Sequence, residues 1–145
     1  MTEEEIAAIH GLDLSGNPGL EQTRDLFVIG CYTGLRYSDY SKLTRENLID
    51  LDNGRQAFRV VVYKTNDIVI IPIHPVVQEI LDRYDYNIPK GNSNQVMNRQ
   101  LKEIAKRSGL TQTYQKRMFR GNRAEIDTRK KYQLVCTHTA RRSFA

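Results

Sequence analysis

The chain has 145 residues, of which 39% are hydrophobic and 27% charged, and its formal net charge is +5, a balance that predicts one soluble globular domain. No apolar run approaches the roughly 20 residues that span a bilayer, and the acidic start Met1-Thr-Glu-Glu-Glu5 is unlike a signal peptide, so we expect a cytoplasmic protein that does not contact a membrane. Two cysteines are too few for a disulfide framework, and no cysteine and histidine residues have metal-ligand spacing, so no metal or other cofactor is expected.

Helices are predicted for the first third of the chain. Thr2 and Glu5 have the spacing of a capping box, which opens a short helix. After a connector rich in glycine and proline, apolar residues recur at helical spacing from Leu20 to Cys31, and Gly34 ends this longer helix. The helices predicted in this part of the chain cover residues 3–9, about 20–33 and 38–43.

The clearest strand signals lie in the middle of the chain. Residues 57–64 and 68–72 are rich in β-branched residues, and the short segment Thr65-Asn-Asp67 between them favours a tight hairpin. Pro72 marks the end of the second strand. Lys64 is therefore predicted at the end of the first strand, next to the turn.

Two further helices and a second hairpin are predicted for the rest of the chain. Helical patterns cover residues 75–84 and 94–107, and the pattern over 114–135 is extended, with a turn at Gly121-Asn122. Another helix begins near His138. Together these elements predict a mostly helical α+β domain with a small antiparallel β-sheet and an additional basic β-hairpin.

Positive charge is concentrated in the last third of the chain. The net charge is −5 for residues 1–35, zero for 36–98 and +10 for 99–145. Such asymmetry favours a surface that meets a polyanion, although a solvated charged surface is the alternative. We expect the second hairpin to contact DNA backbone through its seven basic residues, Lys116, Arg117, Arg120, Arg123, Arg129, Lys130 and Lys131.

The last ten residues contain a pattern that suits phosphate binding. His138 and Arg141 are three residues apart, so at the start of a helix they share a face and can converge on one oxyanion, helped by free backbone N–H groups. Arg36 and Lys64 add two cations from distant positions. The sequence has no dinucleotide, P-loop or zinc-protease signature. Cations without a metal suit electrostatic stabilisation of a phosphorane.

Two of these motifs resemble those of the tyrosine recombinases, the phage-type integrases. Thr33-Gly-Leu-Arg36 followed by Ser38-Asp39 resembles the first box of their catalytic domain, and His138-Thr-Ala-Arg141-Arg142 resembles the second box, the HxxR motif. The catalytic lysine of that family lies on a β-hairpin between the boxes, which is the place of Lys64. The resemblance extends from Glu3 to Ala145.

The resemblance implies a role for each residue of these motifs. Arg36 and Arg141 would bind the non-bridging phosphate oxygens, His138 would donate a hydrogen bond or act as acid and base, and Lys64 would protonate the leaving 5′-oxygen. The supporting residues would be Asp39, which orients Arg36, and Arg142.

The implied activity is site-specific DNA recombination or integration through a 3′-phosphotyrosine intermediate. Its partners would be a double-stranded recombination site and other recombinase protomers in a synaptic complex, in a phage or another mobile element. All eight tyrosines precede His138, so the family's nucleophile is expected to be missing. The family's N-terminal DNA-clamping domain is expected to be missing as well. We therefore expect residues 1–145 to be a C-terminally truncated catalytic domain that binds phosphate weakly and does not cleave.

Each assignment has an alternative. Arg36 and Asp39 have the spacing of a surface ion pair, worth under about 1 kcal/mol, and Lys42 or Lys90 could take the place of Lys64. The chain could instead be a non-enzymatic DNA-binding module or regulator that shares the fold. A basic RNA-processing enzyme is a third hypothesis, which rests on charge alone.

Overall fold

The structure is a computed structural model that describes residues 1–144. These residues form seven α-helices and two antiparallel sheets. Ala145, the end of the motif-bearing segment, lies outside the described residues. The helices are α1 (Glu3–His10), α2 (Pro18–Thr33), α3 (Tyr37–Tyr40), α4 (Pro75–Arg83), α5 (Asn94–Arg107), α6 (Lys131–Leu134) and α7 (Thr137–Ser143). The strands are β1 (Leu48–Asp50), β2 (Gln56–Val61), β3 (Ile68–Pro72), β4 (Thr113–Arg120) and β5 (Arg123–Lys130).

Helix α2 forms the centre of the core. The Asn17 side chain caps it by accepting a hydrogen bond from the Leu20 N–H at 3.2 Å, and Pro18 occupies its first turn, where no N–H is needed. Gly34 ends it with φ +71°, which confirms the predicted helix end. Its apolar residues from Leu26 to Ile29 are at most 1% exposed, so neighbouring elements cover α2 on all sides.

A buried ion cluster joins α2 to α1 and α4. The Asp25 carboxylate accepts hydrogen bonds from Arg24 Nε at 2.6 Å, Arg83 Nη2 at 3.0 Å and the Tyr84 hydroxyl at 2.6 Å. Arg24 Nη1 also donates to the carbonyls of three residues around the end of α1, namely Ile9, His10 and Leu12. Asp25 is fully buried, so these contacts neutralise a charge that water does not reach.

The larger sheet has the strand order β1-β2-β3. Phe58 and Val60 of β2 point into the core, which places the sheet beside the helices. β2 ends at Val61, three residues before the predicted end, because Val62 and Asp67 close a wider turn through the Val62 N–H and the Asp67 carbonyl at 2.8 Å. Lys64 therefore lies in the turn itself. β1 has only three residues and was not predicted as a strand.

The second sheet is a two-stranded ribbon formed by β4 and β5, which pair from Thr113–Lys130 to Arg120–Arg123. Nearly all of its side chains are exposed. The prediction of extended structure up to Val135 was wrong for the final turn, because residues 131–134 form α6. Gln133 explains the change, since its side-chain oxygen accepts from the Lys130 N–H at 2.9 Å and caps a helix there.

Within residues 1–144, no helix is both long and apolar enough to cross a bilayer.

Candidate functional site

A cleft lies where the C-terminal end of α2, the start of α3, the larger sheet and α7 meet. Its volume is about 260 Å³. Arg36 and Arg141 both line it, together with Asp39. The remaining lining residues are Thr33, Gly34, Leu35, Val62, Val69, Ile71 and Phe144. Arg36 and Arg141 are far apart in the sequence, so the fold brings the two motif-bearing segments together at one cleft.

Arg36 is positioned by the turn that ends α2. Gly34 adopts a left-handed conformation, which redirects the chain so that Arg36, in extended conformation, directly precedes α3. A Cβ atom at Gly34 would lie 2.5 Å from the Phe144 ring. Glycine is therefore required twice at this position, by the positive φ and by the close approach of the residue that follows α7.

Arg141 is positioned by close packing of α7 on α2. Ala140 is fully buried, and a Cβ atom at Gly30 would lie 3.0 Å from the Ala140 Cβ and 2.8 Å from a ring carbon of Tyr40. The missing side chain at Gly30 thus lets α7 and Tyr40 approach the α2 backbone. Arg141, the next residue, is half-buried at the edge of the cleft.

His138 and Arg142 lie on the same short helix but are exposed. Neither is among the residues that line the cleft, and Lys64 is not among them either. His138 lies one turn before Arg141 in α7, as the spacing predicts. Among the four residues predicted to be catalytic, the structure thus brings the two arginines to the cleft and leaves His138 and Lys64 exposed outside its lining.

Asp39 has a different partner from the expected one. Its side chain is buried, and its Oδ1 accepts a hydrogen bond from the Tyr63 backbone N–H at 3.1 Å. Within residues 1–144, no ion pair joins Asp39 to Arg36. Asp39 therefore fixes the turn between β2 and β3, and Lys64 is the residue after the one that it holds.

The other two lysines considered for this role lie on nearby segments. Lys42 is exposed, with its Nζ 5.2 Å from the centre of the Tyr63 ring. Lys90 is exposed in the loop between α4 and α5. Val62 and Val69, which flank the turn of Lys64, line the cleft, whereas Lys42 and Lys90 are not among its lining residues. The backbone of the Lys64 turn is thus the one that continues from the cleft wall.

The start of α7 is held from two sides at Thr137. The Asn98 side-chain oxygen accepts from the Thr137 N–H at 2.8 Å, and the Asn94 oxygen accepts from its hydroxyl at 2.7 Å. The Tyr40 hydroxyl donates to the Thr137 carbonyl at 2.9 Å. Burial raises the pKa of Tyr40, so its hydroxyl keeps the proton that it donates. These contacts join α3 and α5 to the helix that carries Arg141.

These hydrogen bonds to Thr137, which we call the clamp, were not predicted from the sequence, although the sequence contains one signal for them. Asn94 and Asn98 are four residues apart, so they share one face of α5, and Lys102 continues the row by donating to the Val135 carbonyl at 3.0 Å. A polar row on one helix face is also typical of a solvated surface. Only the fold shows that α7 begins opposite this row.

Replacing Asn98 with alanine should lower the free energy of unfolding by about 1–3 kcal/mol, because the buried Thr137 N–H loses its acceptor. Asn98→Asp keeps an acceptor oxygen and should restore most of the loss. Gln95→Ala, at an exposed position of the same helix, is the control and should change little. Urea unfolding measures all three variants. Equal effects of Asn98→Ala and Gln95→Ala would show that the clamp does not hold α7.

The Cys136 thiol precedes α7 in the same region. Partial burial raises its pKa, but a hydrogen bond with Thr139, the N–H groups of His138 and Thr139 and the charge of Arg142 outweigh burial and lower it. The distance from Sγ to the Thr139 Oγ1 is 3.6 Å. The N–H groups and the charge of Arg142 thus make the start of α7 electropositive.

The predicted DNA-binding residues lie on both faces of the ribbon and at its base. Arg117 and Lys130 lie on one face, and the other face carries Lys116, Arg120, Arg123 and Arg129. Lys131 lies in α6 and is mostly buried, with its Nζ 2.6 Å from a carboxylate oxygen of Glu5 in α1. Burial lowers the pKa of Lys131, but the hydrogen bond to Glu5, the charge of Glu5 and the contact with Tyr114 together outweigh burial and raise it. Lys131 thus attaches the base of the ribbon to the domain.

Solved structures with a similar fold include two complexes of XerH site-specific recombinase. For the pre-cleavage complex with the difH substrate, the TM-score is 0.63 at 13% sequence identity, over 99% of this chain and 41% of that chain. For the post-cleavage complex with a palindromic difH substrate, the TM-score is 0.62 at 14% identity, over 99% of this chain and 40% of that chain. The chain spans about two fifths of the length of these recombinase chains.

The sequence matches no protein-family model and no curated protein. The similarity to XerH covers all the elements from α1 to α7 at low sequence identity, so it is a similarity of fold. The chain therefore has a mixed α+β, recombinase-like fold.

Proposed function

We propose that this chain is part of the catalytic domain of a tyrosine-type site-specific recombinase, which cuts and rejoins double-stranded DNA. The observation that carries the proposal is the meeting of Arg36 and Arg141 at one cleft. Two guanidinium groups beside a pocket of this size suit a phosphodiester, since each can donate two hydrogen bonds to phosphate oxygens. The recombinase-like fold is a second, independent support.

The proposed reaction transfers a phosphoryl group from one oxygen to another. A tyrosine oxygen attacks the phosphorus of the scissile phosphodiester, and the bond from phosphorus to the 5′-oxygen breaks. Arg36 and Arg141 stabilise the negative charge that develops on the two non-bridging oxygens. His138 donates a hydrogen bond from one ring nitrogen to one of these oxygens and takes the proton of the attacking tyrosine on the other nitrogen. Lys64 gives its proton to the leaving 5′-oxygen. The reverse reaction with another 5′-hydroxyl rejoins the strand.

The attacking tyrosine is proposed to come from outside these 145 residues. None of the described residues that line the cleft is a tyrosine. Tyr40 is fully buried, and its hydroxyl is engaged with Thr137. Burial raises the pKa of Tyr32 and Tyr37 as well, which makes both poorer nucleophiles. Tyr63 is 75% exposed beside Lys64 and is the strongest internal competitor.

The alternative function is a DNA-binding module or regulator that keeps the fold without the chemistry. The exposed positions of His138 and Lys64 outside the cleft lining favour it. The two functions differ in one property, since only the recombinase forms a covalent bond to DNA. They agree in double-stranded DNA as the partner, so DNA binding alone does not separate them.

Covalent capture on DNA tests the proposal. A recombinase site with a nick near the scissile phosphate traps the intermediate, which appears as a protein–DNA band in denaturing electrophoresis. We expect a band from a protein that includes this chain and a downstream tyrosine, and none when that tyrosine is phenylalanine. Residues 1–145 alone should give no band. Binding without a band in the longer protein would favour the module.

A band from residues 1–145 alone would show that one of the eight tyrosines attacks. Tyr63→Phe then identifies the competitor, with Tyr114→Phe as the control, since Tyr114 is also partly exposed but lies on the ribbon. Loss of the band in the Tyr63 variant alone would replace the proposed external nucleophile with Tyr63.

A further inference from the structure

The ribbon of β4 and β5 has two chemically different faces. In an antiparallel pair, directly opposed residues share a face, and successive residues alternate. The register therefore groups the odd-numbered residues of β4 with the even-numbered residues of β5, and we call this side the open face. The remaining residues of the two strands form the ion-paired face.

All the carboxylates of the ribbon belong to the ion-paired face. Glu125 lies 3.6 Å from Arg120 Nε, and Asp127 lies 2.9 Å from Arg129 Nε. Two of the three arginines on this face are thus already matched by an acidic group of the ribbon. Because phosphates repel carboxylates, this face is the poorer surface for close contact with DNA.

The open face has a different composition. It carries Arg117 and Lys130 and no acidic residue, and Gln115, Thr113 and Thr128 add neutral hydrogen-bonding groups. Glu125 of the other face also lines the shallow groove on this side, and its carboxylate lies 3.6 Å from Arg120 Nε. Within residues 1–144, Arg117 has no ion-pair partner, and its guanidinium lies 5.6 Å from the centre of the Phe119 ring. The aromatic contact holds an arginine ready for an external acceptor.

The apolar side chains of the open face are also the most exposed in the ribbon. Phe119 and Ile126 are 70% and 69% exposed, whereas Tyr114 and Met118 on the ion-paired face are 45% and 38% exposed. The rest of the domain thus covers little of the Phe119 and Ile126 side chains. Exposed large apolar groups on a positively charged surface indicate a binding role rather than a folding role.

We infer that the open face enters the major groove of a DNA duplex and reads base edges there. The major groove admits a two-stranded β-ribbon, and the eight residue pairs of this one, at about 3.3 Å per residue, are long enough to follow several base pairs. The side chains suit the groove, since arginine pairs with guanine, glutamine with adenine, and small or aromatic apolar groups with the thymine methyl.

This inference rests on DNA being the partner under the proposed function, and it goes beyond that function. The sequence predicted only contact with the DNA backbone, which does not discriminate between sequences. The structure assigns Arg117 and Gln115 to sequence readout. Lys116 and Arg123, on the ion-paired face, are left to sequence-independent attraction, which falls with salt.

A second copy of the chain is the other occupant that an apolar strip suggests. The open face is a poor match for it, because Arg117 and Lys130 on one copy would meet the same charges on the other at a symmetric contact. The only contiguous apolar residues there are Phe119, Ala124 and Ile126, a strip much smaller than a stable dimer buries. Charge and size both favour DNA.

Selection from a pool of randomised DNA duplexes tests the inference with residues 1–145. The wild-type chain should enrich a sequence motif that includes a guanine. Arg117→Ala should lose between about five- and 150-fold of the preference at that base pair and leave the rest of the motif. Arg123→Ala is the matched control, because it removes the same side chain and charge from the other face. It should weaken binding to all sequences equally.

The outcomes separate this inference from the proposed function, because binding selection needs no cleavage. No enriched motif, or the same loss of guanine preference in Arg117→Ala and Arg123→Ala, would overturn base reading by the open face. A second copy of the chain would be assigned to the open face by two results together. Arg117→Ala would leave the selected DNA sequences unchanged, and Phe119→Ser would abolish a concentration-dependent self-association. Circular dichroism of each variant shows that the fold is retained, and covalent capture by the longer protein remains the separate test of recombinase chemistry.

Discussion

Arg141→Ala is expected to slow strand cleavage by roughly 10²–10³ while changing duplex affinity little. Under the proposed function, Arg141 at the edge of the cleft stabilises the additional negative charge that the non-bridging oxygens gain in the transition state. Arg36→Ala should have a similar effect from the opposite side. Arg141→Lys keeps the charge but loses the planar pair of donors, so it should recover only part of the rate.

Single-turnover cleavage of a nicked duplex, by the longer protein with a downstream tyrosine, measures this effect. A filter-binding or anisotropy assay gives the duplex affinity of the same variants. Arg55→Ala is the control, since Arg55 is exposed in the turn before β2 and is not among the cleft residues. Equal rates for Arg55→Ala and Arg141→Ala would remove the cleft from the chemistry.

Asp25→Ala should lower the free energy of unfolding by about 3–5 kcal/mol. Asp25 and Arg24 have side chains that are 0% and 4% exposed. Removal of the carboxylate leaves the Arg24 guanidinium buried without its counter-charge. The hydroxyl of Tyr84 also loses its acceptor. Several kcal/mol is a large part of the stability of a small domain.

Glu103→Ala is the matched control for Asp25→Ala. Glu103 also pairs with an arginine, Arg107, but their side chains are 47% and 48% exposed, so the pair is worth under about 1 kcal/mol. Urea unfolding followed by circular dichroism gives both values. Similar losses in the two variants would show that burial of Asp25 does not set its contribution.

The sequence by itself determined the helices other than α6, and the motifs at their ends. Local signals sufficed, because a cap, a proline or a glycine acts on the residues next to it. The capping box of Thr2 and Glu5 and the helix end at Gly34 are both confirmed. The order of the two motifs and the lysine between them also predicted a recombinase-like fold, which the structural likeness supports.

Only the tertiary structure decided which side chains meet. Asp39 holds the Tyr63 N–H instead of Arg36, and Lys131 pairs with Glu5, 126 residues away in sequence. Such contacts depend on the three-dimensional path of the chain, which residue spacing does not record. The clamp on Thr137 is hidden from the sequence for the same reason.

The ribbon shows the same division between local and long-range information. Alternation, a turn and basic residues were visible in the sequence, but the two faces follow from the pairing register, and a shift of one residue would exchange them. The three-residue strand β1 was missed because it exists only through its pairing with β2. Sequence alone thus determined the local elements and the chemistry they carry, and long-range packing decided which of these groups face one another, since contact energies act between residues that are distant in the chain.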